Sequence, residues 1–125
     1  MKSLERVKRR LRGEPVDRRP NFDIYMQRAA HHVGRPLSRY YLDHRVLVEA
    51  NLAVLEAFDL DIVQAISDPY REASDLGLDV EWPEDSLPIR RAIRLQAPED
   101  AARFKHESTE EGRRMSDRLD DVRRL

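Results

Sequence analysis

The fold is decided by the stretch Asp59-Leu60-Asp61-Ile62-Val63-Gln64-Ala65-Ile66-Ser67-Asp68-Pro69-Tyr70-Arg71-Glu72-Ala73-Ser74-Asp75-Leu76-Gly77. Its β-branched run over residues 62–66 is too short for a typical helix and predicts a buried strand. Asp68 and Pro69 predict the start of a helix, and Gly77 predicts its end, because glycine tolerates positive φ. The carboxylate of Asp68 is therefore expected at the C-terminal end of a parallel strand, where α/β proteins bind ligands.

The composition excludes several classes of protein. Hydrophobic residues make up 40% of the 125 residues and charged residues 38%, so the core is small. With 23 basic and 24 acidic residues, no overall field favours nucleic acid or an anionic membrane. There is no cysteine and no apolar run long enough to cross a bilayer. These features predict a cytoplasmic protein without nucleic-acid or membrane partners.

An amphipathic helix is predicted over residues 4–12. Ser3 is its expected N-cap, and Leu4, Val7 and Leu11 form its expected buried stripe. Its many basic residues are interpreted as a solvated face, although a nucleic-acid or membrane helix has a similar composition. Gly13 ends the helix.

The middle of the chain alternates between strand and helix patterns. Residues 21–25 alternate polar and apolar side chains, as a short strand does, and residues 26–32 have a helical composition. After a break at Gly34 and Pro36, Asp43 is the expected cap of a long helix over residues 44–58. This order of strand, helix, strand and helix predicts βαβ units in a parallel sheet.

The last third of the chain has weaker patterns. Residues 78–82 alternate as a strand, and residues 88–94 are predicted as an edge strand or an extended loop. Pro98 begins a short predicted helix that ends at Phe104. Residues 108–111 form a capping-box pattern that starts a last helix, on which the apolar stripe is predicted to contain Met115, Leu119 and Val122.

One segment carries a resemblance to a known family. The residues Arg12-Gly13-Glu14-Pro15-Val16-Asp17-Arg18-Arg19-Pro20 resemble the N-terminal segment of the uroporphyrinogen decarboxylase superfamily, which also contains the methylcobamide methyltransferases. The similarity continues through the long helix and then through Ser67-Asp68, Glu72-Ala73, residues 76–81 and Pro98-Glu99-Asp100. The resemblance therefore covers most of the chain.

The resemblance implies an α/β fold of the TIM-barrel type. Such (β/α)₈ barrels need roughly 250 residues, so residues 1–125 are expected to form a single partial domain. The expectation is an N-terminal part of the barrel, helix-rich with a few short parallel strands. Because a partial barrel leaves an open sheet edge, we expect a truncated barrel, one part of a split enzyme, or a homo-oligomer that covers the edge.

Asp68 is the candidate catalytic residue. In the decarboxylases that the chain resembles, an aspartate at this motif position hydrogen-bonds the pyrrole N–H groups and stabilises the cationic intermediate. A carboxylate suits both tasks, since it accepts several donors and offsets positive charge. The alternative is that Asp68 only caps the helix that follows it.

Arg28 and Arg35 are the candidate substrate-binding residues. The decarboxylases carry a Met-Arg-Gln-Ala-Gly-Arg segment, whose arginines hold substrate carboxylates, whereas this chain has Met26-Gln27-Arg28-Ala29 and a later Gly34-Arg35. Guanidinium groups bind carboxylates well, but solvated helix arginines are the alternative. The altered segment favours the methyltransferase-like branch over a true uroporphyrinogen decarboxylase.

The resemblance also implies which cofactors and partners to expect. The methyltransferases use a corrinoid and zinc, but through residues that this chain lacks, so no cofactor is expected within the chain. His31 and His32 are adjacent on a helix and point in different directions, so no metal site is assigned to them. The expected substrate is a tetrapyrrole or a corrinoid; a non-catalytic subunit that binds a barrel-completing chain is the rival hypothesis.

Overall fold

The computed structural model describes residues 1–92, 97–103 and 108–125. It is rich in helices, and only one short pair of strands is formed within these ranges. The elements in chain order are α1 (Ser3–Leu11), α2 (Met26–His32), α3 (Leu37–Leu42), α4 (His44–Ala57), α5 (Arg71–Asp75), β1 (Val80–Glu81), β2 (Ile89–Arg90), a 3₁₀ helix (Pro98–Arg103) and α6 (Arg113–Arg124).

The hydrophobic core lies between α2, α3 and α4. Its small residues Ala29 and Ala30 let α2 approach α4 closely, and both are completely buried. The rings of Tyr40 and Tyr41 meet edge to face, with their centroids 5.9 Å apart. The buried core residues are Ala29, Ala30, Leu37, Tyr40, Tyr41, Val46, Leu47, Ala50, Val54 and Leu60.

The long helix α4 forms as the sequence predicts. The carboxylate of Asp43 accepts a hydrogen bond from the backbone N–H of Arg45 at 3.0 Å, which confirms the predicted N-cap. The helix ends at Ala57, one residue before Phe58. Because Phe58 lies beyond the helix, its ring does not join the core and instead stacks on Tyr25, 4.8 Å away.

The hydroxyl of Tyr40 joins α3 and α4 to the stretch that precedes Asp68. It accepts a hydrogen bond from Asn51 at 3.2 Å and donates one to the carbonyl oxygen of Ile66 at 3.1 Å. Burial raises the pKa of Tyr40 to about 12. The phenol therefore stays protonated and able to donate.

Helix α1 docks through a charge, and of its predicted apolar stripe only Val7 is half-buried. Leu4 and Leu11 are 66% and 79% exposed, whereas Arg6 is only 6% exposed. The face of α1 that packs against the protein is the one that carries Arg6, because Arg6 binds Asp17 and Asp61. The predicted cap is also wrong, because Ser3 is already the first helical residue and its side chain makes no cap bond.

The carboxylate of Asp61 joins the N-terminal segment, residues 1–21, to the central stretch, residues 59–66. Its side chain is completely buried and accepts from Arg6 Nη1 at 2.5 Å and Arg18 Nη1 at 2.6 Å. The backbone N–H of Asn21 donates to the same carboxylate at 2.8 Å. Donors from two segments of the chain, α1 and the loop that follows it, thus satisfy one buried anion.

The two predicted central strands do not form a sheet. Residues 21–25 and 62–66 have no regular secondary structure. One ladder-like hydrogen bond joins them, from Asp61 N to Asn21 O at 2.9 Å. The N–H of Asn21 donates to the Asp61 side chain and the N–H of Asp23 donates to the Asn21 side chain at 3.3 Å, so neither of them makes a ladder bond. A positive φ of 49° at Asp59 also bends the chain just before this point.

The strands that do form are antiparallel, so the prediction of parallel strands is wrong for the described residues. β1 pairs with β2 through Val80 opposite Arg90 and Glu81 opposite Ile89. These two short strands lie within the runs predicted over residues 78–82 and 88–94. The predicted strand end at Ile93 and Arg94 and the predicted helix end at Phe104 lie outside the described residues.

Replacing Asp61 is expected to destabilise the protein strongly. Asp61→Asn removes the charge that compensates the mostly buried Arg6, and breaking a buried ion pair costs about 3 kcal/mol in the free energy of unfolding. The control is Asp59→Asn, because that side chain is 81% exposed and an exposed pair contributes under about 1 kcal/mol. Urea denaturation of both variants measures the difference; equal losses would contradict the role of Asp61.

The contribution of Asp61 is expected to disappear in acid. Burial alone would raise its pKa, but hydrogen bonds from Asn21, Ser3, Arg6 and Arg18 outweigh burial and lower it from 3.8 to about 2. A lowered folded-state pKa gives stability above the unfolded-state value that is lost as pH falls through the folded-state value. The difference between wild type and Asp61→Asn should therefore shrink between about pH 4 and pH 2. A difference that stays constant over this range would contradict this assignment.

Candidate functional site

Asp68 lies at the turn between residues 62–66 and α5. Its Oδ1 accepts a hydrogen bond from the backbone N–H of Tyr70 at 2.8 Å. Helix α5 begins only at Arg71, so Asp68 closes the turn before the helix and does not cap its first turn. The predicted end of the helix is confirmed, since Gly77 has a φ of 91°.

The carboxylate of Asp68 is completely buried and has four hydrogen-bond donors around it. Arg114 donates from Nη1 to Oδ1 at 3.1 Å and from Nη2 to Oδ2 at 2.7 Å. The hydroxyl of Ser67 donates to Oδ2 at 2.7 Å. Together with Tyr70 N, these donors give each oxygen two hydrogen bonds. Burial by itself raises the pKa of Asp68, but the bonds from Arg114 and Ser67 outweigh it and lower the pKa.

The guanidinium group of Arg114 is itself held on three sides. Its central carbon lies 4.3 Å from the centroid of the Trp82 ring, which is the geometry of a cation–π contact. Its Nη2 also donates to the carbonyl oxygen of Tyr41 at 2.8 Å. Asp68, Trp82 and Tyr41 therefore form a cradle that fits a planar cation with N–H donors.

A second arginine, Arg71, acts on Asp68 through the hydroxyl group of Ser67. Arg71 donates from Nη2 to the hydroxyl oxygen of Ser67 at 2.8 Å, and from Nε to the same oxygen at 3.2 Å. Because Ser67 accepts from Arg71, its own proton is directed to Asp68. Arg71 also donates to the carbonyl oxygen of Arg114 at 2.6 Å, and its side chain is only 2% exposed.

The ionic network continues into a group of side chains between α4 and α6. His44 Nδ1 lies 2.7 Å from Asp117 Oδ1, and Arg71 Nη1 lies 3.5 Å from Asp117 Oδ2. Asp121, one turn further along α6, is completely buried. Its two carboxylate oxygens have no hydrogen-bond partner among the residues that the structure describes. Burial raises the pKa of Asp121 to about 6.

The start of α6 is fixed by a residue distant in sequence. The carboxylate of Asp75 accepts from the backbone N–H of Arg114 at 2.9 Å and of Met115 at 2.7 Å. The predicted capping box does form, with reciprocal 3.3 Å bonds between Ser108 and Glu111, but it closes a turn ahead of the helix. Asp75 thus caps α6 and places Arg114 over Asp68.

The two predicted substrate-binding arginines lie elsewhere. Arg28 is on an exposed face of α2. Arg35 follows Gly34 and lies 3.3 Å from Glu49, in an exposed pair. It lines an open groove of about 440 Å³ with His31, Gly34, Pro36 and Asp85. The arginine that contacts Asp68 is Arg114, and the assignment of Arg28 and Arg35 to a substrate stays a prediction.

The described residues do not fit a zinc site. Over residues 1–92, 97–103 and 108–125, no three His, Asp or Glu side chains are grouped so that they could hold a metal ion. None of the helices in these ranges is both long and apolar enough to cross a membrane.

The sequence contained a signal for the second half of the site that we interpreted differently. Arg114, Asp117 and Asp121 are spaced by three and four residues, so they share one face of a helix. A charged face usually points to solvent, so the sequence predicts an apolar stripe on the other side. In the structure Arg114 and Asp121 are buried, while Val122 of the predicted stripe is 62% exposed and its other two residues are half-buried. The partners Asp68 and Arg71 explain why the charged face is buried.

The comparison with protein families identifies a family for this chain. The model of the uroporphyrinogen decarboxylase family matches residues 2–125, which is almost the whole chain. Comparisons with curated proteins and with solved structures give no significant match.

The contact between Gly112 and Asp75 gives a testable prediction. A Cβ atom at Gly112 would lie 2.6 Å from Asp75 Oδ2 and 2.5 Å from Met115 Cε, so it would displace the cap. Gly112→Ala and Asp75→Ala are each expected to lower the free energy of unfolding by about 1 kcal/mol, the usual value of a helix cap.

Because both substitutions act on the same contact, the double variant should lose less than the sum of the two. Urea denaturation followed by the fluorescence of Trp82 measures all three variants. Strictly additive losses would show that Gly112 and Asp75 act independently.

Proposed function

Because the chain belongs to the uroporphyrinogen decarboxylase family, we propose that it supplies the Asp68-bearing part of the ligand face of a family barrel. In this proposal Asp68 is the acceptor for N–H donors of the ligand, which are pyrrole N–H groups in a tetrapyrrole and side-chain amide groups in a corrinoid. The enzyme is assigned to the branch that resembles the corrinoid-dependent methyltransferases, whose chemistry is the transfer of a methyl group carried by a corrinoid.

The proposal rests on the hydrogen-bond donors that surround the Asp68 carboxylate. A buried carboxylate whose pKa is lowered is an anion at neutral pH, and all the groups bonded to it are donors. Such a group can bind the N–H groups of a ligand and offset positive charge that develops on it. Ser67 and Arg71 fix its orientation.

The arginines favour the methyltransferase-like branch. Substrates with many carboxylates require several guanidinium groups directed at one place. Arg35 is paired with Glu49, and Arg28 lies on an exposed helix face. The order of Arg and Gln around Arg28 also departs from the decarboxylase segment.

Two alternatives remain as outcomes of the test. In a true decarboxylase, Asp68 would stabilise a protonated pyrrole while a substrate acetate group loses carbon dioxide. In a non-catalytic subunit, the chain would bind a partner that completes the barrel. The second alternative is supported by apolar side chains exposed along the two central segments, which are Phe22, Ile24, Ile62 and Ile66.

Equilibrium dialysis of the protein with methylcobalamin, and separately with uroporphyrin, tests the proposal. We expect methylcobalamin to be retained, and Asp68→Asn to weaken its binding about tenfold, since a charged hydrogen-bond acceptor contributes about 1.5–3 kcal/mol. Asp23→Asn, which changes an exposed carboxylate, is the matched control and should bind as the wild type does.

The other results would each overturn part of the proposal. Retention of uroporphyrin alone would favour a true decarboxylase. Retention of neither compound would favour the partner-binding subunit. Binding of methylcobalamin that is equal in wild type and Asp68→Asn would exclude Asp68 as the acceptor.

A further inference from the structure

Helix α6 lies directly over the Asp68 carboxylate, and its contact with the rest of the protein is mainly ionic. Arg114 and Asp121 are its buried residues, whereas Val122 is 62% exposed. Ionic contacts depend on the charge state of a few groups, unlike an apolar interface of the same size. The position of α6 is therefore sensitive to the protonation of single side chains.

One of these buried groups opposes the docking of α6. Asp121 is completely buried, and neither of its oxygens has a hydrogen-bond partner within the described ranges. Its closest cation is Arg71, whose Nη2 lies 3.7 Å from Asp121 Oδ2, beyond hydrogen-bond distance. Burying a carboxylate in this way is unfavourable, and protonation removes the penalty.

The charged groups around Asp121 come from every helix that packs against it. Burial is the largest cause of the raised pKa of Asp121, and the negative charge of Asp117 adds to it, while Arg71 acts in the opposite direction. The titratable and charged groups that face Asp121 are Tyr40 on α3, His44 on α4, Arg71 on α5, and Asp117 and Arg118 on α6.

We propose that α6 is an autoinhibitory latch, in which Arg114 occupies the acceptor oxygens of Asp68 and one face of Trp82, and Asp121 controls how tightly the latch holds. This inference rests on the proposed function, since it treats Asp68 as the acceptor for ligand N–H groups. Arg114 already makes the bonds that such a ligand would make. A ligand must therefore displace Arg114 before it reaches Asp68.

The direction of the pH response follows from the raised pKa. The folded-state pKa of Asp121 is about 6 and its ordinary value is 3.8. For a carboxyl group with a raised pKa, the favourable contribution is complete below the ordinary value and is lost as pH rises through the folded-state value. The latch should be tightest near pH 4 and should loosen as the pH rises to about 6.

Trp82 is the single tryptophan of the chain and reports directly on the latch. Its ring loses the Arg114 guanidinium when α6 leaves, so acrylamide should quench it more strongly. We expect the quenching constant of the wild-type protein to rise about twofold between pH 4 and pH 6.5 and then to stay constant, as the coupling of docking to protonation requires. Quenching that does not change with pH would overturn the proposal.

Two variants assign the response to Asp121. Asp121→Asn keeps the shape of the side chain but carries no charge, so its quenching should stay low at every pH. Asp120→Asn is the matched control, because Asp120 is the next residue of α6 and its side chain is 48% exposed. It should behave as the wild type does.

A third variant tests whether the pH response comes from the neighbouring imidazole group of His44. His44 contacts Asp117 in the same group of side chains, so its part in the response has to be tested separately. His44→Gln should retain the response. A response that disappears in His44→Gln and persists in Asp121→Asn would overturn the role of Asp121.

Ligand binding separates failure of the latch from failure of the proposed function. If methylcobalamin or uroporphyrin binds, Arg114→Ala should bind it about tenfold more tightly than the wild type at pH 5, where the latch is closed, on the scale of one charged hydrogen-bonded pair. Equal binding by wild type and Arg114→Ala would overturn the latch. If neither compound binds, the quenching experiment still decides whether α6 moves, and only the function fails.

Discussion

Donors from Arg6, Arg18 and Asn21 converge on the buried carboxylate of Asp61, and the arrangement of the chain depends on this convergence. Leu4 and Leu11 of α1 are exposed, so the helix is held to the rest of the chain by the guanidinium group of Arg6. A buried ion pair is stable only when its remaining hydrogen-bonding capacity is used. At Asp61 the backbone of Asn21 uses it, and the beginning of the central stretch is fixed as a result.

The contact at Asp61 also explains what the segment that carries the family resemblance does in the structure. Within residues 12–20, Asp17 bonds Arg6 and Arg18 bonds Asp61. These two motif residues therefore hold the scaffold and do not face the candidate site around Asp68. The residues of this segment therefore stabilise the fold, while the chemistry depends on residues much later in the chain.

The sequence predicted the local features well and the long-range ones poorly. The Asp43 cap, the positive φ of Gly77 and the turn at Asp68 depend on neighbouring residues, so their residue types reveal them. The burial of Arg6 and Arg114 depends on Asp61 and Asp68, which lie more than forty residues away from them, and has no local signal. For that reason the sequence does not reveal that Leu4, Leu11 and Val122 of the predicted apolar stripes are exposed, and it does not indicate the cradle around Arg114.

The hydrogen bond from Tyr40 to Ile66 has a further consequence for the central stretch. Asp61 holds one end of this stretch through both its side chain and its backbone N–H, and Tyr40 holds the other end through the carbonyl oxygen of Ile66. No backbone hydrogen bond joins the N–H groups of residues 62–66 to any other described residue. The N–H groups of this stretch are thus available to a neighbouring strand. A neighbouring strand could pair with it without the entropic cost of straightening it, which is about 1–2 kcal/mol for each residue of a disordered chain.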